Sequence, residues 1–485
     1  MNLFKYFYRN GINTIDSSFY RRIEDWKSWY NGNVRGFSQY RIYTGQGTYK
    51  RCRRKTIGLA KKLCEDMADL LLNERVAITY SHQPTGEFVS AVLQQNNFDV
   101  LGNEFQERKA ALGTVAYVPY LYDMEIAENG TVLSGSIGID YVTAENIYPT
   151  AWSNGNVTEC IFAFPKTYLR RNYLHLQHHH LNGTGPDRQY VIDNVVLEVR
   201  AGAQDGKQLQ PDEWRKLQPF ETLAPHLETG SDQPQFVIDR LNLVNNADQD
   251  ESSPMGVALF ANAIDILKKL DIEYDSYSNE FEMGRKRIFV RPEMLTARGG
   301  VPAFDPDDTV FYSLPEDYGG GDEKPLLESV DLSLRAEQHS KAITDDLNIA
   351  SMRCGFGTSR YEFERGNIQT ATQVISENSD MYRTLKKHEL ILDNVLKKLI
   401  RIIIRLGISC GVQNLDPDTE IKIDFDDSII EDKQAERNSD RQDVAMGAMQ
   451  LWEYRAKWYA EPEEKAKAAV DNTLGPDEVL NDAGY

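Results

Sequence analysis

Four histidines, His175, His178, His179 and His180, crowd into one stretch of strand character that ends at Asn182-Gly183. On a strand, His178 and His180 share a face, and paired imidazoles suit a transition metal. No nearby carboxylate or cysteine completes a ligand set by local spacing, so the stretch reads first as a surface hairpin. Phosphate chemistry would need GxxxxGK[ST], whose backbone amides cradle the phosphates. Gly355-Phe356-Gly357 is too short for it, and Gly319-Gly320-Gly321 precedes no Lys-Ser/Thr. GxSxG and HExxH are also absent. Asp345-Asp346 and Asp426-Asp427 read as solvated carboxylates. No catalytic residue, metal or cofactor is assigned from these patterns.

Charge is more informative. The chain has 485 residues, with 54 Lys/Arg against 74 Asp/Glu and a net charge of −20. That balance argues against a protein that simply coats nucleic acid or anionic membrane. The distribution is uneven: residues 1–75 hold 15 basic and 7 acidic side chains, the remaining residues 39 and 67. Five scattered cysteines without a CxxC pair suit a reducing compartment. No segment approaches the ~20 apolar residues of a membrane span, so no membrane partner is expected.

The elements that position these groups read as α+β. Trp26, Trp29 and Tyr30 suggest a short helix with a packed aromatic face. Apolar residues at three- and four-residue steps predict a helix over Arg51–Asn73, opening on the basic run Lys50 to Lys55. From Val76 to Val244, β-branched and aromatic runs between Asn-Gly turns predict a largely antiparallel sheet region flanked by helices. Residues 201–235 read as loop. Ser253 as N-cap and Pro254 at the first turn predict a helix to Met283, stopped by Gly284. Its far half carries Asp271, Glu273, Asp275, Glu280 and Glu282; Arg285, Lys286, Arg287 and Arg291 follow. Strand-like pieces at 287–290 and 309–314 precede a helix over Leu332–Met352. After the loop 355–369, a capping box at Thr370 and Gln373 opens a helix predicted to reach Leu406. A strand at 421–425, an acidic run from Asp424 to Asp440 and helical residues to Tyr485 complete the chain.

The order of these segments resembles the portal proteins of long-tailed bacteriophages of Gram-positive hosts. The resemblance rests on Ala68-Asp69-Leu70-Leu71-Leu72-Asn73-Glu74, on the segment from Leu334-Arg335 to Gly357, and on Thr370-Ala371-Thr372-Gln373-Val374-Ile375-Ser376. It implies a portal fold of wing (1–250), stem helix (251–285), clip (286–329), second stem helix (330–354), tunnel loop (355–369), wing again (370–428) and crown (429–485). It also implies a homo-oligomeric ring of about twelve copies at one capsid vertex of the virion. The expected partners are double-stranded DNA passing through the channel, terminase, a head–tail connector protein, and the major capsid and scaffolding proteins. Assembly in the host bacterial cytoplasm is part of the same expectation.

Under that resemblance Asp271, Glu273, Asp275, Glu280 and Glu282 are expected to line the channel and repel the duplex. Arg360, Tyr361, Phe363 and Arg365 are expected on the tunnel loop, as transient phosphate contacts and steric stops. Arg285, Lys286, Arg287 and Arg291 are expected at the docking face of the clip. The alternatives are another ring-forming head-morphogenesis or connector protein and, from a different class, a polysaccharide-processing enzyme with an acidic cleft.

Overall fold

Asn154 and Gly155 both adopt positive φ, 51° and 75°, which lets two strands reverse in a two-residue turn. Such reversals build the largest sheet of this computed structural model. The structure describes residues 3–43, 48–73, 76–126, 132–183, 185, 188–199, 206–283, 287–290, 311–313, 327–330, 334–358, 360–361, 371–425, 433–459 and 463–471.

In chain order the first half comprises α1 (Leu3–Arg9), α2 (Ser17–Tyr30), β1 (Gln39–Tyr43), β2 (Tyr49–Arg53), α3 (Leu59–Leu71), β3 (Ala77–Tyr80), α4 (Gln83–Gln95) and α5 (Phe98–Leu112). Strands β4 (Thr114–Ile126), β5 (Val132–Thr143), β6 (Ile147–Ser153), β7 (Asn156–Tyr168), β8 (Arg171–Asn182), β9 (Gln189–Val199) and β10 (Lys207–Gln208) follow. Then come α6 (Pro211–Trp214), β11 (His226–Glu228), β12 (Val237–Arg240) and α7 (Ile264–Met283). The remainder is β13 (Arg287–Val290), β14 (Phe311–Ser313), β15 (Leu327–Val330), α8 (Ala336–Arg353), α9 (Ala371–Ser409), β16 (Ile421–Asp424), α10 (Lys433–Ala445), α11 (Leu451–Tyr459) and α12 (Glu463–Asp471). Helices and mainly antiparallel sheets make the chain α+β, as the residue patterns predict.

One sheet runs β10-β9-β8-β7-β6, with β11 also on β9; a second runs β12-β4-β5. β16 pairs with β3, Ile421 opposite Tyr80, and so returns the chain to its first hundred residues. The main core joins Trp26, Leu63, Phe105, Tyr117, Phe162, Phe260, Leu347, Leu396 and Ile403, which belong to helices and sheets far apart in sequence. A satellite core of Tyr173, Val196, Leu209, Trp214 and Phe220 gathers short elements inside the stretch 201–235 expected as loop.

Several expected boundaries move for identifiable reasons. Lys50 to Arg53 do not open a helix but belong to β2, which pairs with β1 in register Arg41↔Arg51 and Tyr43↔Tyr49. The helix starts only after Gly58, at φ 72°. Likewise the Ser253-Pro254 helix start does not form. Residues 255–260 lie buried against the end of α5: Gly256 N–H donates to Thr114 Oγ1 (2.8 Å) and Leu259 N–H to the Ala110 carbonyl (2.8 Å). Those amides serve a neighbour instead of their own helix, so α7 has 20 residues, about 30 Å. Gly256 and Gly113 touch backbone to backbone: a Cβ on Gly256 would stand 2.2 Å from the Gly113 carbonyl oxygen. Thr370, the expected N-cap, lies outside the described residues, and α9 runs past Leu406 to Ser409.

Inside the core, α5 and β12 are joined by a buried ion pair. Lys109 Nζ lies 3.1 Å from both oxygens of Asp239, and both side chains are almost fully buried. Gln106 donates to Asp239 Oδ2 (2.9 Å) and to the Tyr117 hydroxyl (3.0 Å). Asp239→Asn strands a buried ammonium and should destabilise the chain by ~3–5 kcal/mol, whereas Lys109→Met/Asp239→Asn together should recover much of that loss. Denaturant unfolding of the three proteins checks the order.

Candidate functional site

The acidic half of α7 is covered by the basic N-terminal segment. Asp271 Oδ1 accepts from Thr56 Oγ1 (2.9 Å) and from the Ile57 amide (3.0 Å). One turn on, Asp275 accepts from the Tyr40 hydroxyl (3.0 Å) and the Lys55 amide (3.0 Å), with Arg54 at 4.0 Å. Both carboxylates are buried, and burial raises the pKa of Asp271 against the pull of the Ile57 amide. Arg54 is itself held over the rings of Phe37 and Tyr40, at 4.6 and 4.9 Å. Glu282 meets Lys55 at 2.8 Å. Helix α7 is thereby clamped along much of its length by residues 37–57.

Its opposite neighbour is α8. Asp265 pairs with Arg353 (2.6 Å), Lys269 with Asp346 (2.8 Å), and Glu280 with Arg335 (3.0 Å). The start of one helix thus meets the end of the other, so the two run antiparallel. Glu280 also binds His339; Arg335 first, then His339, hold its carboxyl down at about 2. Glu273 shares Lys269 with Asp346, and burial followed by the adjacent Asp346 raises its pKa. Between the helices, β13 pairs parallel with β14 and antiparallel with β15, a strand that the sequence patterns did not mark.

All five acids expected in a channel lining therefore have partners within the chain. The oxygens of Asp271 and Asp275 face the Tyr40–Ile57 segment and are closed off from solvent within the chain. Of the docking cations, Arg287 sits on β13, while Arg285, Lys286 and Arg291 lie outside the described residues.

Beyond α8, Tyr361 donates to Asp66 Oδ2 on α3 (2.8 Å), and Arg360 approaches the same oxygen (3.9 Å). Lys62 is a third partner of Asp66, at 2.8 Å. Burial, with the Asp66 charge next, drives the Tyr361 phenol far above its usual range. Tyr361 is hence tied to α3. Phe363 and Arg365 lie outside the described residues.

The histidine strand β8 is interior to its sheet, between β7 and β9, not a surface hairpin. His178 and His180 do share a face, with ring centroids 4.6 Å apart. The neighbouring strand supplies the carboxylate missing from the local spacing: Asp193 accepts from His180 Nε2 (2.7 Å) and His226 Nδ1 (2.6 Å). Only strand register reveals that partner. Among the described residues, no group of three or more His, Cys, Asp or Glu side chains has an arrangement that could hold a metal ion. His179 points the other way, between Phe162 and Phe236, and burial drives its pKa down to about 3.

Replacing Asp271 and Asp275 together by Asn should loosen residues 40–57 from α7. Hydrogen exchange should quicken at the Lys55 and Ile57 amides while the β6–β9 sheet keeps its protection. Acid should also weaken the fold through His179. Unfolded His179 takes up a proton near its ordinary value of about 6.5, whereas the folded ring resists until about 3. Its contribution is present above about 6.5 and lost progressively as pH falls below that value. His179→Phe should therefore flatten the fall of Tm between pH 7 and pH 5.

Among the described residues no helix is long and apolar enough to cross a membrane. No curated protein matches the chain. The family description "phage portal protein, SPP1 Gp6-like" matches residues 10–176 and 219–468, most of the chain, and it takes in α7, the β13–β15 sheet, α8 and α9. That family is a structural one. The chain belongs to the phage portal proteins of the SPP1 Gp6-like family.

Proposed function

We propose that this portal protein forms a ring of about twelve copies at one capsid vertex and conducts double-stranded DNA during packaging and ejection. The observation that carries the reading is the antiparallel pair α7–α8, cross-linked by ion pairs at its start, middle and end, bearing a small sheet between its helices, in a chain of this family. In this reading α7 and α8 are the stem, 286–329 the clip, 355–369 the tunnel loop and 429–485 the crown. The wing comprises residues 1–250 and 370–428.

The stem pair leaves Ile272, Phe281, Ile349 and Met352 exposed, apolar area that a neighbouring copy would cover in a closed ring. Glu282, the most exposed of the five stem acids, together with the partly exposed Glu273 and Glu280, remains the candidate lining, since a conduit must repel the duplex instead of neutralising its phosphates. Arg285, Lys286, Arg287 and Arg291 are assigned to docking of terminase and, later, of the head–tail connector. Arg365 and Phe363 are the tunnel-loop contacts; Arg360 is assigned a positioning role through Asp66. Capsid and scaffolding proteins are the partners at the vertex.

Light scattering and negative-stain imaging test the assembly. Rings of several hundred kDa are expected, and a persistent monomer of 55.3 kDa would refute it. Replacing 286–329 by a short Gly-Ser linker should preserve the ring and abolish pull-down of terminase; retained pull-down would remove the clip assignment.

A further inference from the structure

A cavity of about 1060 Å³ opens between α9, the β6–β7 turn, the start of β9 and β12. Six cations line it, Arg188, Arg240, Lys397, Lys398, Arg401 and Arg405, against the single carboxylate of Asp232. The four from α9 recur at positions 397, 398, 401 and 405, a spacing that gathers them towards one side of the helix.

Their existing contacts leave most of this charge uncompensated. Lys397 pairs with Asp393 (2.8 Å). Arg401 donates to the carbonyls of Pro417 and Thr419, and Arg405 to that of Pro234 (2.8 Å). Carbonyls satisfy donors without cancelling a full charge. Among the described residues, the side chains of Arg188, Arg240 and Lys398 have no hydrogen-bond acceptor or ion-pair partner. Arg240 is half-buried, and its Nη2 lies over Gly155, 3.0 Å from where a Cβ would stand. Burial lowers the pKa of both Arg240 and Arg405; for Arg405 alone, Asp232 and Tyr190 oppose it.

Like charges converging from three sides on one half-enclosed space repel one another, and an external anion would relieve that repulsion. Guanidinium forks match phosphate oxygens in pairs, and a phosphate brings more oxygens than a carboxylate to donors arriving from several directions. The volume suits a ligand of triphosphate size and is too small to admit a duplex. We propose that this cavity binds clustered phosphate groups, presented by an exposed nucleic-acid backbone at its mouth or by a free polyphosphate. The site is separate from the α7–α8 pair and does not depend on the channel reading.

The test uses the full chain in its assembled form, titrated calorimetrically at low salt with tripolyphosphate and, separately, with a short duplex DNA. Arg188→Gln/Lys398→Gln, both exposed positions, should weaken tripolyphosphate binding about tenfold, and Arg240→Gln should weaken it as well. Arg41→Gln/Arg51→Gln, on the remote β1–β2 hairpin, should leave it unchanged. Duplex binding that tripolyphosphate displaces would identify a nucleic-acid backbone as the source; tripolyphosphate binding alone would identify a free polyphosphate. The proposal is overturned if neither probe binds, if the cavity variants bind like the unmodified protein, or if a glutamate-rich peptide binds the cavity more tightly than tripolyphosphate.

Discussion

A lysine ammonium sealed from water constrains the centre of this chain. Lys109 and Asp239 would each be costly to bury alone, so α5 and β12 must stay at a separation that keeps them together. Burial lowers the Lys109 pKa while Asp239 opposes that fall. Gln106 and Tyr117 extend the arrangement to β4. On α9, His388 lies near enough to Lys109 to feel its charge, and it stays neutral, its pKa driven to about 3 first by burial and then by Lys109. A neutral ring can accept a hydrogen bond, and His388 Nδ1 takes one from the Asn242 amide (3.1 Å). The long helix is thus registered against the residues that follow β12. Strand alternation turns Arg240 away from Asp239, towards the cavity that α9 lines. One ion pair therefore bears on the sheet, the long helix and the cation cluster.

What could be read from the residues, and what could not, follows the range of the forces involved. The α+β class, the strands at Thr114–Tyr122 and Tyr190–Val199, the antiparallel sheet and the long helix near 370–406 carry strong local periodicity and were legible. α5 was not, because Gln106 and Lys109 occupy buried positions and interrupt its apolar stripe. The helix start at Ser253-Pro254 satisfied every local rule yet failed, since Ala110 and Thr114 offered those amides other acceptors. Lys50 to Arg53 looked like a helix opening because charge has no periodicity; pairing with β1 decides their state. Asp193 reaches His180, Tyr361 reaches Asp66 and Thr56 reaches Asp271 through register or tertiary contact, across separations of 13, 295 and 215 residues.

The same distinction alters the meaning of the charge split. The local excess of base in residues 1–75 and the acids of α7 lie about 200 residues apart in the sequence. In the fold they are partly one interaction, with Tyr40, Arg54, Lys55, Thr56 and Ile57 set against Asp271, Asp275 and Glu282. The 1–75 segment still keeps a cationic surface, since Arg41, Arg51 and Arg53 lie exposed on one face of the β1–β2 hairpin beside Tyr43 and Tyr49. Like charges placed opposite each other across two strands are unfavourable, so Arg41 and Arg51 do not stabilise that hairpin.

A helix held in this way is constrained in how it can move. Were Asp271 and Asp275 free, their repulsion one turn apart would oppose helix formation. Accepting two backbone amides and two hydroxyls from the N-terminal segment, they join α7 to residues 37–57, while Asp265, Lys269 and Glu280 join it to α8. α7 is thus braced on two sides by polar contacts whose geometry is directional, in addition to the apolar packing of Leu267 and Leu270. Apolar packing tolerates sliding more readily than directional hydrogen bonds do. Displacing α7 along its axis would break the contacts to both neighbours together, so any motion of this helix should carry residues 37–57 and α8 with it as one unit.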